Sequence, residues 1–235
     1  MKSPNVTPLL QDAAFDADES LLQREPFAFF IAREVLANAD RERLADDFPA
    51  YSSAGFFPHD AADCGPSVNA LVEEITSQGF ANRIGEKLGI DHLGQYPTLV
   101  TLCRLLNLRH GTIHTDSRSK VATALIYLNE TWPEDNVGGS LRFLSKIDDI
   151  DALLSPEIKP LYGNFVVFGR ADNSFHGHLP HEGERRVIQV AWLTSEEEKL
   201  RKTKRGKFSR IFKKLFGSLD RRIGAGRDRS ASHRD

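Results

Sequence analysis

Sulfur is nearly absent from this chain. Cys64 and Cys103 are the only cysteines among 235 residues, and they sit in unrelated contexts. That excludes a disulfide scaffold and a cysteine-based zinc cluster. Long apolar runs are missing as well: none approaches the roughly 18 residues needed to cross a bilayer. The opening stretch MKSPNVTPLLQDAAFDADES turns acidic and has no apolar signal segment. Internal repeats are also lacking. These absences point to a reduced, cytoplasmic protein.

What is present is unevenly distributed. The formal net charge is only −2, yet residues 199–235 carry 14 Lys/Arg against 3 Asp/Glu, leaving 17 against 30 for the preceding 198 residues. An acidic body with a basic tail suggests that the tail has a job of its own. Phe208, Ile211, Phe212, Leu215, Phe216 and Leu219 fall on one helical stripe of that tail, with Lys and Arg opposite. Such a helix suits an anionic membrane surface or a partner groove, with nucleic acid a weaker third choice because no reading motif is present. A location peripheral to the membrane through this tail is the corresponding expectation.

Hydrophobic residues make up 40% of the chain, enough for a real core. Residues 1–24 are polar and read as a mobile N-terminus. PFAFFIA (26–32) reads as a strand and NADRERLADDFP as a short helix, with Asn38 or Asp40 near its N-cap. Residues 52–66 read as a loop. Ser67 is expected to cap a helix striped by Val68, Leu71, Val72 and Ile75, and Gly89 to end another striped by Phe80, Ile84 and Leu88. From about residue 97 the pattern shortens. TLVTLCRLLNL, KVATALIYLNE, GSLRFL, GNFVVFG and RVIQVAWLT are short β-rich runs separated by turn residues, the pattern of a sandwich or barrel. The reading is α+β, with helical support over 25–95, a β-core over 96–198 and the basic tail over 199–235.

Within LRHGTIHTDSRSK, His114 and Asp116 stand two apart, which on an extended segment points both side chains to one side. Two histidines and one carboxylate on one face of an Fe(II) ion leave positions open for cosubstrate and oxygen. The third ligand must then come from a distant strand. His176 is the first candidate and His178 its rival; His110 and His181 read as solvated or supporting residues. A dicarboxylate cosubstrate would need a guanidinium, which keeps its charge when buried and grips a carboxylate through two N–H groups. Arg185 and Arg186 open the strand after His176. Arg186 shares a face with Ile188, Val190 and Trp192, an apolar face of the kind a barrel interior presents, and is therefore favoured over Arg185.

These residues carry a resemblance. The ordered series His114, Asp116, Tyr127, Gly138, Gly139, His176, arginine and Trp192, with VATALIYLNETWPEDNVGGSLRFL (121–144), resembles the prolyl-hydroxylase-like branch of the Fe(II)/2-oxoglutarate dioxygenase superfamily. It covers about residues 96–194. The resemblance implies a double-stranded β-helix (jelly roll), with His114, Asp116 and His176 on iron and Arg186 on the distal carboxylate of 2-oxoglutarate. It also implies that Tyr127 donates its hydroxyl to the cosubstrate and that Leu141 and Trp192 line the pocket. Fe(II), 2-oxoglutarate and O2 are the implied cofactors and cosubstrates, with ascorbate as an optional reductant. The implied activity is hydroxylation of an aliphatic C–H with release of succinate and CO2, on a peptide, a small molecule, a lipid-linked intermediate or a sugar. A jelly-roll binding module without oxidation is the competing class. The chain departs from the branch at Arg104, where its prolyl hydroxylases often place tyrosine. The Gly183-x-Arg185 spacing also keeps Arg185 in contention.

Overall fold

The computed structural model describes residues 8–136 and 138–204. Its core is an antiparallel sheet of seven strands: β1 (Leu21–Gln23), β2 (Phe29–Ala32), β3 (Phe56–Pro58), β4 (Thr98–Leu106), β5 (Lys120–Tyr127), β7 (Phe165–Gly169) and β9 (Gly183–Leu193). Their order across the sheet is β1-β2-β7-β5-β9-β4-β3. A second sheet pairs β6 (Arg142–Leu144) with β8 (Phe175–Gly177), and single bridges such as Leu141 to Ile158 extend it. Helices α1 (Arg41–Asp46), α2 (Pro66–Thr76) and α3 (Gln78–Leu88) come early in the chain. The α+β reading therefore holds, with a jelly-roll arrangement of two sheets.

The large sheet is covered on both faces, and side-chain alternation assigns each residue to one cover. On β7, Phe165 and Val167 join a core with the helices, while Val166 and Phe168 join a core shared with the small sheet. On β5, Ala122, Ala124 and Ile126 go to the helix side, and Leu125 and Tyr127 to the small-sheet side. A strand buried on both faces reads as a continuous apolar run, as FVVFG does.

The helical stripes fall as expected. Val68, Leu71, Val72 and Ile75 are buried on α2, and Phe80, Ile84 and Leu88 on α3. Ser77 caps α3 by accepting the Phe80 N–H at 3.3 Å, and Gly89 ends it in the left-handed conformation at φ 72°. Ser67 is not a cap. Pro66 occupies the first turn and Gly65 the cap position, and Ser67 instead donates its hydroxyl to the Asp47 carboxylate at 2.6 Å. That bond ties α2 to the end of α1.

Two other expectations are corrected. The N-terminal stretch is tied down from residue 8 onward: Leu9, Leu10 and Phe15 are buried, and β1 pairs with β2. Their apolar side chains, spaced among acidic residues, outweigh the polar average. The 52–66 loop holds β3, which pairs with β4 at the sheet edge. Thus residues 25–95 contribute strands to the main sheet as well as helices. The stripe from Phe208 to Leu219 lies outside the described residues; the chain approaches it as a helix over 196–204. Among the described residues, no helix is long and apolar enough to cross a membrane.

Phe15 meets Phe165 edge-on at 5.3 Å and Phe80 at 5.5 Å. Truncating a fully buried aromatic costs about 3–5 kcal/mol. Phe15→Ala is therefore expected to lower the urea midpoint by that equivalent, whereas a dangling N-terminus would leave the midpoint unchanged.

Candidate metal centre

The centre is assembled by a backbone bridge. The His114 N–H donates to the His176 carbonyl and the His176 N–H to the His114 carbonyl, both at 3.0 Å. This reciprocal pair fixes two segments far apart in sequence and sets their imidazole centroids 4.4 Å apart. Asp116 follows two residues after His114 on the same extended segment. One ligand-capable atom from each of His114, Asp116 and His176 lies within 4.8 Å of the other two.

The three groups are held in a ligating state. His114 Nδ1 lies 2.9 Å from the Thr112 carbonyl, and His176 Nδ1 lies 2.9 Å from that of Ser174. A protonated Nδ1 donating to each carbonyl leaves Nε2 with its lone pair toward the shared space. Burial, with His114 nearby, lowers the His176 pKa to about 4, so it is neutral at pH 7. Burial pushes the Asp116 carboxyl upward. The Lys120 ammonium, the neighbouring His176 and bonds from Lys120 and Thr123 together outweigh it and hold the group well below the usual carboxylate range. Lys120 Nζ sits 2.7 Å from Oδ1, and Thr123 Oγ1 donates to Oδ2. Two imidazoles and an ionised carboxylate are a donor set that fits Fe(II).

These groups open into a cavity of about 840 Å³. Leu125, Leu141, Phe168 and Gln189 form part of its wall, along with His110, His178 and Arg185. Gly111 lets the loop pass beneath: its φ is +108°, and a Cβ there would collide with the His178 carbonyl. His178 turns Nδ1 to the Leu179 carbonyl at 2.8 Å and stays outside the triad.

The two arginines are placed differently from the expectation that Arg186 faces the interior. Arg185 is buried, lines the cavity, and donates from Nε to the Gly139 carbonyl at 2.8 Å and from Nη2 to the Tyr127 hydroxyl at 3.1 Å. Arg186 lies on the other face, paired with Glu184 at 2.8 Å and reaching the Ala45 carbonyl. Trp192 shares that face and is buried in the helix-side core, so it does not line the cavity either. The apolar face of β9 is the one covered by helices. The face toward the small sheet holds Arg185, Val187 and Gln189, and is more polar because it borders the cavity. Leu141 does line the cavity, while Tyr127 is fully buried behind Arg185. Arg104 points away, to Glu184 at 3.1 Å. The sequence reading missed Lys120, Thr123 and Gln189; alternation from Tyr127 back to Leu125 and Thr123 was the available signal.

Residues 103–194 match the family model of the 2OG-Fe(II) oxygenase superfamily. Comparison with curated proteins gives no match. Among solved structures, the chain is similar to a viral collagen prolyl hydroxylase from Paramecium Bursaria Chlorella virus-1 in complex with 2OG. The TM-score is 0.50 at 19% identity, covering 70% of this chain and 93% of that one. A Pseudomonas putida prolyl-4-hydroxylase gives a TM-score of 0.47 at 19% identity, covering 71% and 92%. A Trichoplax adhaerens prolyl hydroxylase, in complex with a peptide fragment of hypoxia inducible factor, gives 0.49 at 16% identity, covering 73% and 86%. The match over residues 103–194 and the donor set support an iron-dependent oxygenase domain, and its fold is similar to that of the viral prolyl hydroxylase. Residues 103–194 thus read as a 2OG-Fe(II) oxygenase domain, for which Fe(II), 2-oxoglutarate and O2 are the cofactor and cosubstrates.

His176→Ala is expected to abolish Co(II) binding measured by calorimetry, and His178→Ala to keep it within about tenfold. Thr123→Val, which frees one Asp116 oxygen, is expected to weaken it about 10–100-fold, the usual effect of losing a partner that orients a ligand.

Proposed function

We propose that the protein hydroxylates an aliphatic C–H of a substrate seated in the 840 Å³ cavity, with His114, Asp116 and His176 holding the iron. The observation that carries this reading is the burial of Arg185 in the wall of the same cavity that the triad faces. Bound iron, with 2-oxoglutarate and O2, supplies the oxidising power: one oxygen atom enters the C–H bond and 2-oxoglutarate leaves as succinate and CO2.

The chain's own residues orient the reactants and exclude water. Arg185 receives the distal carboxylate of 2-oxoglutarate. The Gly139 carbonyl and the Tyr127 hydroxyl hold its guanidinium in place, and no hydrogen bond from its Nη1 is found among the described residues. Burial pushes the Tyr127 pKa up, so its hydroxyl keeps its proton. While accepting from Arg185, that hydroxyl retains a hydrogen with which to donate. Leu125, Leu141 and Phe168 give the cavity an apolar part of its wall, and lower polarity there strengthens charge pairing. Lys120 and Thr123 keep Asp116 ionised and aimed. A prolyl residue in a peptide is one substrate such a site accepts; a small molecule is another.

For the basic stretch 199–235, we propose contact with an anionic membrane surface, based on its sequence. Deleting it is expected to release the protein from anionic vesicles, and equal vesicle binding by the truncated form would refute that contact. A reducing, cytoplasmic setting is proposed from the sequence alone, whose two cysteines sit in unrelated contexts.

Truncating one partner of a buried charge pair costs about 2–5 kcal/mol. Arg185→Gln is therefore expected to raise the KM for 2-oxoglutarate at least about thirtyfold in a succinate-release assay. Arg186→Gln is expected to change it by less than about threefold, and a reversed ranking would return the anchor to Arg186.

A further inference from the structure

The cavity is cationic inside an acidic body. Its walls carry Arg109, Lys120 and Arg185 but a single carboxylate, Asp116. Residues 1–198 as a whole hold 17 Lys/Arg against 30 Asp/Glu, so the sign of the cavity is opposite to that of its surroundings. Loading the site does not cancel the excess. The two charges of Fe(II) balance the two of 2-oxoglutarate, Asp116 balances one cation, and two positive charges stay in the wall.

The surplus has a location. Arg185 is committed to the cosubstrate under the reading above, and Lys120 lies against Asp116 at 2.7 Å. Lys202, from the helix over 196–204, reaches Ser117 Oγ at 3.1 Å and adds a further ammonium behind the same loop. Arg109 sits on the exposed loop that leads to His114, and its side chain forms no ion pair among the described residues. Two apolar groups of the same cavity wall are still reached by water: Leu108, its neighbour in sequence, is 62% exposed and Phe56 38%. Exposed apolar side chains and an uncommitted guanidinium on one cavity wall make a surface of two complementary kinds. At about 840 Å³, the cavity falls in the upper part of the range for drug-sized ligands, well beyond what a five-carbon diacid occupies.

We propose that the hydroxylated substrate is a small amphiphilic organic acid. Its carboxylate pairs with Arg109, in the field of Lys120, and its apolar body rests on Phe56 and Leu108. This rests on the oxygenase reading and adds a substrate class to it. Arg109 is the specificity-determining residue: it selects an anion over a neutral molecule of the same shape.

The test is binding, with no turnover involved. Full-length protein is saturated with Mn(II) and 2-oxoglutarate under anaerobic conditions. Calorimetry then follows 3-phenylpropanoate and cyclohexanecarboxylate, each beside its neutral amide, while bound 2-oxoglutarate is monitored in the same samples. The acids are expected to bind at least tenfold more tightly than the amides, and Arg109→Gln is expected to cut that ratio to about threefold or less. Amides that bind as well as acids, acids that do not bind, or a ratio untouched by Arg109→Gln would each overturn the proposal. If 2-oxoglutarate itself fails to bind in a metal-dependent way, the oxygenase reading falls and takes this inference with it. If it binds and the acid preference is missing, only the substrate class is lost.

Discussion

The site depends on one pair of backbone hydrogen bonds, those exchanged by His114 and His176. His176 is the middle residue of the three-residue β8, and His114 lies between β4 and β5, far away in the chain. Neither side chain could be placed to within a fraction of an ångström by its own loop. The reciprocal pair removes that freedom, since two antiparallel residues bonded both ways have a fixed separation and a common side. Asp116 inherits its place from His114 by the two-residue repeat of extended chain. Gly111 and Gly177 permit the close approach, because side chains there would press on His178 and on the Thr112–Ile113 backbone.

A second constraint comes from the two covers of the large sheet. Helices α2 and α3 take one face of β5, β7 and β9, and the small sheet takes the other. Most residues on these strands are thereby assigned to a packing layer or to the cavity. Arg185 can be buried because its neighbours are polar in the right places: a carbonyl and a hydroxyl receive two of its donors. An unpaired guanidinium there would cost several kcal/mol. The wall around it is accordingly shaped for an anion.

Much of this was legible from residues alone. The short β-rich runs between turn residues gave the strands, and the stripes on α2 and α3 gave their buried faces. The series from His114 to His176 gave the triad, because each member sits in a recognisable context. Which of Arg185 and Arg186 faces the cavity was not legible by the rule applied to it. An apolar strand face was taken for the barrel interior, but helices bury apolar faces just as well. Which layer covers which face is a property of the whole chain and leaves no mark on one strand. Trp192 was misplaced for the same reason. The binding of residues 8–24 to the body was hidden because Leu9, Leu10 and Phe15 follow no regular period. Lys120 and Thr123 escaped notice since their role is set by Asp116 across a turn.

The central claim is that iron sits between His114, Asp116 and His176 with 2-oxoglutarate reaching to Arg185. Anomalous scattering from crystals grown anaerobically with Mn(II) and 2-oxoglutarate tests it most directly. The account predicts a single strong peak in bonding contact with the outward-facing Nε2 atoms of both histidines and with one Asp116 oxygen, and the distal carboxylate of 2-oxoglutarate on the Arg185 guanidinium. A peak elsewhere in the molecule, or a cosubstrate anchored on Arg186, would contradict it.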